Sequence, residues 1–150
     1  MLRDLRKAIT GVLAVALLAL AVAASASSEI PQGLSAKQAA ALEQRVRERW
    51  QAMIAHDFGK VWEFNTPTYR EVFPKSLYVH KFSYAVQWQL TSIKVVDYDA
   101  DAAVASVAVG VMSQPTKQTS EASRALGALP TTIDEKWILI DGEWWHSAKI

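Results

Sequence analysis

Three histidines, His56, His80 and His146, are the side chains of this chain best suited to acid–base chemistry. His146 lies in an aromatic stretch, where burial lowers the pKa of an imidazole and brings it close to neutrality. We interpret His146 as the candidate acid–base group, with Glu135 as its closest carboxylate on the same strand face. The alternative, which the sequence favours because no partner carboxylate is assigned with certainty, is a histidine packed among tryptophans and satisfied by one hydrogen bond.

Two tyrosines, Tyr69 and Tyr84, have phenolic hydroxyls that can donate hydrogen bonds to a ligand oxygen. The alternative is that each tyrosine only packs in the core or at its rim. We keep both as weak catalytic candidates beside His146.

Metal and cofactor chemistry is not predicted. The chain has no cysteine, and no two histidines lie three or four residues apart. The nucleophile motif G-x-S-x-G and the phosphate-binding motif G-x-x-x-x-G-K are both missing from the sequence. We therefore expect no metal site and no cofactor.

A predicted β-hairpin positions His146. Asp141-Gly142 is a strong signal for a two-residue loop, which pairs Ile140 with Glu143 and fixes the register of both strands. Because side chains alternate along a strand, the two faces differ. One face has Trp137, Leu139, Trp144 and His146, and the other has Ile138, Ile140 and Trp145. We interpret the first face, with Trp88, as the lining of a pocket for a small apolar or amphipathic ligand.

The second face is a predicted interaction surface. Ile138, Ile140 and Trp145 would form an apolar patch in a monomer, and such a patch is costly to expose to water. We therefore expect a homodimer, or a partner protein, on this face. The alternative is that these three residues pack under a loop.

Helices are predicted in the first half of the domain and strands in the second. Ser35 and Gln38 have capping-box spacing before an apolar stripe, and Thr66-Pro67 opens a later helix. Residues 84–97 predict a long strand with a bulge near Thr91-Ser92, where the alternation slips. Residues 113–130 are small and polar, include a short helix between Ser120 and Gly127, and are interpreted as a lid.

Helices followed by meandering strands predict an α+β fold, in which N-terminal helices pack on one face of an antiparallel sheet. Three segments resemble the nuclear transport factor two-like superfamily: WQAMIAHDF from Trp50, TPTYR from Thr66 and EKWILIDGEWW from Glu135. This superfamily includes ketosteroid isomerase, scytalone dehydratase and SnoaL-like polyketide cyclases. The resemblance covers residues 35–150.

The resemblance implies a strongly curved sheet wrapped around helices, a cone-shaped α+β barrel with a cavity at its open end. It also implies that dimers through the sheet are common. The paired aspartates of ketosteroid isomerase have no counterpart, because Asp97, Asp99 and Asp101 crowd a turn. Three functions follow as alternatives: a binding domain without catalysis, an isomerase, dehydratase or cyclase using His146 with a tyrosine, and an envelope assembly module.

The N-terminal segment predicts export. Basic residues open the chain, residues 9–24 are uncharged and apolar, and Ala24-Ser25-Ala26 is an A-x-A cleavage site. The run is shorter than the roughly 20 residues of a membrane-spanning helix. We therefore predict a signal peptide at 1–26, a linker at 27–33 and one domain at 34–150, in a periplasmic or extracellular protein without a stable membrane anchor. An uncleaved anchor at 9–24 is the alternative.

Charge argues against nucleic acid as a partner. The chain has 16 basic and 15 acidic residues. Removing Arg3, Arg6, Lys7 and Asp4 with the predicted signal peptide leaves 13 basic and 14 acidic residues, a net charge of −1. No cluster of Lys or Arg remains that would neutralise a row of phosphates.

Overall fold

The computed structural model describes residues 29–82 and 85–148. The predicted signal peptide and Tyr84 lie outside these residues. The helices are α1 (Ala36–Ile54), α2 (Phe58–Glu63), α3 (Pro67–Val72), α4 (Lys75–Val79) and α5 (Glu121–Leu126). The strands are β1 (Val86–Asp99), β2 (Val104–Pro115), β3 (Leu129–Ile140) and β4 (Glu143–His146). In the described part of the chain, no helix combines the length and apolar character needed to cross a membrane.

Helix α1 begins at the predicted capping box. The Ser35 hydroxyl accepts a hydrogen bond from the Gln38 amide, and the Gln38 side chain accepts one from the Ser35 amide. The helix buries one face, which includes Leu42, Val46 and Trp50. Spacing of four residues places these side chains on one stripe, so the apolar face meets the sheet.

Short helices follow where the sequence provides capping side chains. Asp57 accepts a hydrogen bond from the Lys60 amide at the start of α2, and Thr66 accepts one from the Tyr69 amide at the start of α3. Pro67 is the first residue of α3, where a missing amide hydrogen costs nothing. The Thr66 cap confirms the predicted start of α3.

The four strands form one antiparallel sheet in the order β1-β2-β3-β4, with the helices against one face. The predicted α+β class is confirmed, and the sheet is open because the described parts of β1 and β4 do not pair. The register of β1 on β2 shifts between Leu90 and Ser92, which confirms the predicted bulge. Gly110 lies opposite, where a β-carbon would collide with the Ser92 and Thr91 hydroxyls unless these side chains rotate, so glycine gives the bulge room.

The terminal hairpin has the predicted register. Ile140 pairs with Glu143, and Trp137 pairs with His146. Asp141 and Gly142 have φ values of 51° and 80°, the left-handed pair that a two-residue type I′ turn requires. The register places Trp137 and Trp144 in the core, where both are almost fully buried.

Candidate functional site

A cavity of about 470 Å³ lies between the C-terminal half of α1 and the sheet. Its aromatic wall comes from four separate elements or loops: Trp50, Phe58, Phe82 and Trp88. The Trp50 and Trp88 rings meet edge to face with centroids 5.9 Å apart, and Phe58 and Phe82 stack at 4.6 Å. The cavity is therefore bounded by rings that already pack on each other.

Glu135 is the charged centre of the polar wall. Its side chain is buried, and Arg49 Nη1 donates to Glu135 Oε1 at 2.6 Å. The Trp50 indole donates to the same oxygen at 3.0 Å, and the Trp137 indole donates to Oε2 at 2.9 Å. Both carboxylate oxygens are thus engaged, so Glu135 fixes the positions of Arg49, Trp50 and Trp137.

The geometry of Glu135 follows from strand alternation. Residues 135 and 137 of β3 point to the same face, which is the face that α1 covers. Burying a carboxylate and a guanidinium is costly, and the cost is offset only when the pair is close and further donors satisfy the remaining lone pairs. The two indoles supply those donors.

His146 is held at one ring nitrogen. The Asn65 side-chain amide donates to the Trp62 carbonyl at 3.1 Å, which turns Asn65 Oδ1 towards His146. His146 Nδ1 lies 3.0 Å from that oxygen and therefore carries the proton. The edge of the His146 ring also meets Trp137, with centroids 5.5 Å apart. Asn65 is fully buried, so this arrangement is fixed from the core.

His146 is electrically neutral at physiological pH. Burial lowers the pKa of His146 well below its usual range, and the positive charge of Arg49 lowers it further. With Nδ1 protonated, Nε2 has a lone pair, and His146 lines the cavity. His146 makes no second side-chain hydrogen bond to any residue in the described ranges. Chemically, it is an acceptor or a general base at the cavity wall.

The predicted pocket residues divide between two places. Trp88 and His146 line the cavity, and Trp137 lies behind it, in contact with Glu135 and His146. Leu139 and Trp144 lie further along the hairpin, away from the cavity lining. Trp144 donates its indole hydrogen to the Gln38 carbonyl at 3.1 Å near the start of α1.

Tyr69 lies apart from His146. It is buried, meets Phe73 and Tyr78, and accepts a long hydrogen bond of 3.4 Å from Lys81 Nζ. It lines a separate cavity of about 200 Å³ next to α3 and the outer hairpin face. His146 and Tyr69, which were predicted to act together, therefore line different cavities. Tyr84 lies outside the described residues.

The predicted interaction face is half-buried. Trp145 lies beneath two guanidinium groups, with Arg45 5.4 Å and Arg70 5.0 Å from its ring centroid. Ile138 lines the smaller cavity under α3, and Ile140 is also partly covered. Much of the apolar surface that suggested a dimer is covered within one chain, and the homodimer stays a prediction.

The first and last residues of segment 113–130 belong to strands of the sheet. β2 continues to Pro115 and β3 begins at Leu129, with α5 between them. This segment contributes no described residue to the wall of the 470 Å³ cavity, so its role as a lid stays a prediction. Across residues 29–82 and 85–148, no three His, Asp or Glu side chains are grouped as a metal site.

Sequence reasoning missed Arg49 and Asn65. Arg49 lies on the apolar stripe of α1, three residues after Val46, and a charge in that position was the available signal. Asn65 had no such signal. Its role arises from a parallel bridge to His146 between segments 81 residues apart.

Comparisons with known proteins give a weak structural likeness only. No protein-family profile matches the chain, and no curated protein matches it. A SEC-C motif containing protein from Rhodopseudomonas palustris is 15% identical, with a TM-score of 0.48 over 75% of this chain and 81% of that chain. Aln2 from a Streptomyces species is 13% identical, with a TM-score of 0.47 over 79% of this chain and 89% of that chain.

Proposed function

We propose that this domain binds a small apolar or amphipathic molecule in the cavity between α1 and the sheet. The observation that carries the proposal is the cavity itself, about 470 Å³ with an aromatic wall and a few polar groups. Ligand sites commonly have volumes of roughly 300–1,000 Å³ and this kind of lining. Aromatic side chains supply large apolar contact area, so a planar or alicyclic ligand gains affinity from burial.

The finer description of the fold belongs to the same proposal. A cone-shaped barrel of the nuclear transport factor two-like type would place a cavity between curved strands and the long first helix. The residue motifs at 50–58, 66–70 and 135–145 support this assignment. With the N-terminal pattern of a signal peptide, they support an exported ligand-binding protein.

Catalysis by His146 is the second candidate. The neutral imidazole, oriented by Asn65 and with Nε2 at the cavity, supports a general-base role in an isomerase, dehydratase or cyclase type of reaction. Glu135, which accepts from three donors, is better suited to positioning Arg49 and the two indoles. A homodimer or partner protein on the Ile138, Ile140 and Trp145 face remains a separate prediction.

Fluorescence of N-phenyl-1-naphthylamine, a neutral apolar probe, tests the binding proposal. We expect saturable enhancement at one probe per chain. Met53→Trp places a larger side chain in the cavity wall and should weaken binding at least tenfold. Leu77→Ser is the matched control, because Leu77 is 56% exposed and does not line the cavity.

Equal probe affinity in the Met53→Trp and Leu77→Ser variants would contradict the proposal. Native mass spectrometry of protein from its own host gives an independent readout. It reports the processed N-terminus, the oligomeric state and any retained small molecule in one spectrum.

A further inference from the structure

Arg49 is held within the cavity wall. Its side chain is buried, and its Nη1 group donates to Glu135. Arg49 Nε is also buried and has no hydrogen-bond partner among the described residues, but neighbouring atoms cover it, so a ligand in the cavity does not reach it. A polar group that a ligand can reach must therefore come from another residue of the wall.

His146 offers a hydrogen-bond acceptor to the cavity. Because Asn65 Oδ1 accepts the hydrogen from Nδ1, the remaining nitrogen, Nε2, has a lone pair and no hydrogen. His146 lines the cavity and makes no other side-chain hydrogen bond to a described residue. The wall therefore presents an acceptor from β4.

The charges around the cavity are balanced. Arg49 is compensated by Glu135 at 2.6 Å, and the remaining charged side chains of the lining, Asp134 and Lys136, have opposite signs. A carboxylate ligand would meet the Glu135 charge and the lone pair of His146, while an ammonium would meet Arg49. Neither an anionic nor a cationic ligand would find an uncompensated opposite charge in this cavity, which favours an uncharged ligand.

We infer that the cavity recognises an uncharged, mostly apolar ligand whose polar end carries a hydrogen-bond donor for His146 Nε2. A primary carboxamide and a hydroxyl are the simplest such groups. The inference rests on the proposed ligand-binding function and specifies its substrate class.

Four naphthalene probes of similar size test, by calorimetric titration, whether a ligand donor pairs with His146. Naphthalene-2-carboxamide has an acceptor and a donor, methyl naphthalene-2-carboxylate has the acceptor only, 2-methylnaphthalene has neither, and naphthalene-2-carboxylate is an anion. We expect the carboxamide to bind about three- to tenfold more tightly than the ester, the usual net effect of one hydrogen bond. The anion should bind more weakly than the ester.

Two variants assign the donor preference to His146. His146→Phe keeps an aromatic ring against Trp137 but removes the acceptor. The ratio of carboxamide affinity to ester affinity should then fall to about one. His146→Gln, which has a side-chain oxygen, should restore part of the ratio. If His146→Phe does not fold, the ratio in the wild-type protein and in His146→Gln still decides the inference.

The outcomes separate the inference from the proposed function. If no probe binds, both the cavity proposal and this inference are overturned. If all neutral probes bind with equal affinity, or the anion binds best, the cavity binds ligands but the inference is wrong. A carboxamide preference that persists in His146→Phe also overturns it, because another residue would then be the acceptor.

Discussion

The two ends of the covered sheet face differ in how they are filled. At the closed end, Trp144 packs edge to face on Tyr98 at 6.0 Å and hydrogen-bonds to the Gln38 carbonyl. At the open end, Glu135, His146 and Trp88 border a cavity of about 470 Å³. Both ends belong to the same face of the sheet and lie against the same helix.

The difference lies in what faces the large side chains. At the closed end, Trp144 has an apolar neighbour and a backbone acceptor, so the space is filled. At the open end, the ion pair of Arg49 and Glu135 must keep its geometry with two indoles to remain stable in the core. Side chains with fixed polar partners cannot move to fill the adjacent space. An ordered polar group thus helps to keep a cavity open.

Removing an indole tests this difference most strongly. Trp144→Ala should lower the free energy of unfolding by about 3–5 kcal/mol, because a fully buried ring leaves a void. Trp88→Ala should cost clearly less, since Trp88 is partly exposed beside an existing cavity. Urea denaturation measures both values. Equal costs would mean that the two ends are packed alike.

Breaking the ion pair should have the next largest effect. Glu135→Gln leaves the buried Arg49 charge without compensation and should cost about 3 kcal/mol. Glu143→Gln is the matched control, because Glu143 pairs with Arg45 at 3.4 Å with its side chain 53% exposed, and should cost less than about 0.5 kcal/mol. Similar costs in the urea midpoints of the two variants would argue against a structural role for the buried pair.

The pH dependence of stability sharpens the same comparison with a smaller effect. The unfolded chain takes up a proton at His146 as the pH falls through about 6.5, whereas burial and Arg49 hold the folded pKa lower. The unfolded state therefore binds more protons below that pH, and stability falls as the pH falls. The full contribution of His146 to stability is present above about pH 6.5.

The His146→Phe variant isolates this contribution. Between pH 7.5 and pH 5, the wild-type protein should lose up to about 2 kcal/mol more stability than the variant. Glu135, Asp134 and Lys136 on β3 and Arg49 on α1 share the cavity and are present in both proteins. Parallel stability curves for the two proteins would show that His146 titrates normally in the folded state.

Cavity binding by the neutral probe gives the smallest expected thermal effect. N-phenyl-1-naphthylamine at about ten times its Kd should stabilise the wild-type protein by about 1.4 kcal/mol, measured as a rise in Tm. Leu139→Met, at the closed end, should keep this shift in Tm. Loss of the shift in Leu139→Met would mean that the two ends are coupled.

Local signals in the sequence predicted most of the fold. The Ser35 capping box, the Asp141-Gly142 turn and the slip near Thr91 each act over a few residues, and each is present in the structure. Patterns of this range are set by hydrogen bonding and alternation within one element. They predict where elements begin and how neighbouring strands pair.

The candidate site was less accessible from sequence. The face of His146 followed from strand alternation, but its partner Asn65 and the Arg49 donor to Glu135 come from elements distant in sequence. Strand alternation also placed Trp144 on the correct face, but it did not predict that the start of α1 covers this residue. Contacts across elements depend on how a helix is placed along a sheet, which periodicity does not specify.

The bridge between Asn65 and His146 also affects how the sheet can grow. The His146 amide donates to the Phe64 carbonyl at 2.8 Å, and the Thr66 amide donates to the His146 carbonyl at 3.3 Å. These bonds occupy the outer edge of β4, which is only 4 residues long. A second chain cannot add a strand there without displacing the segment that orients the imidazole. Within the described sheet, β1, with 14 residues, is the long edge left for such pairing.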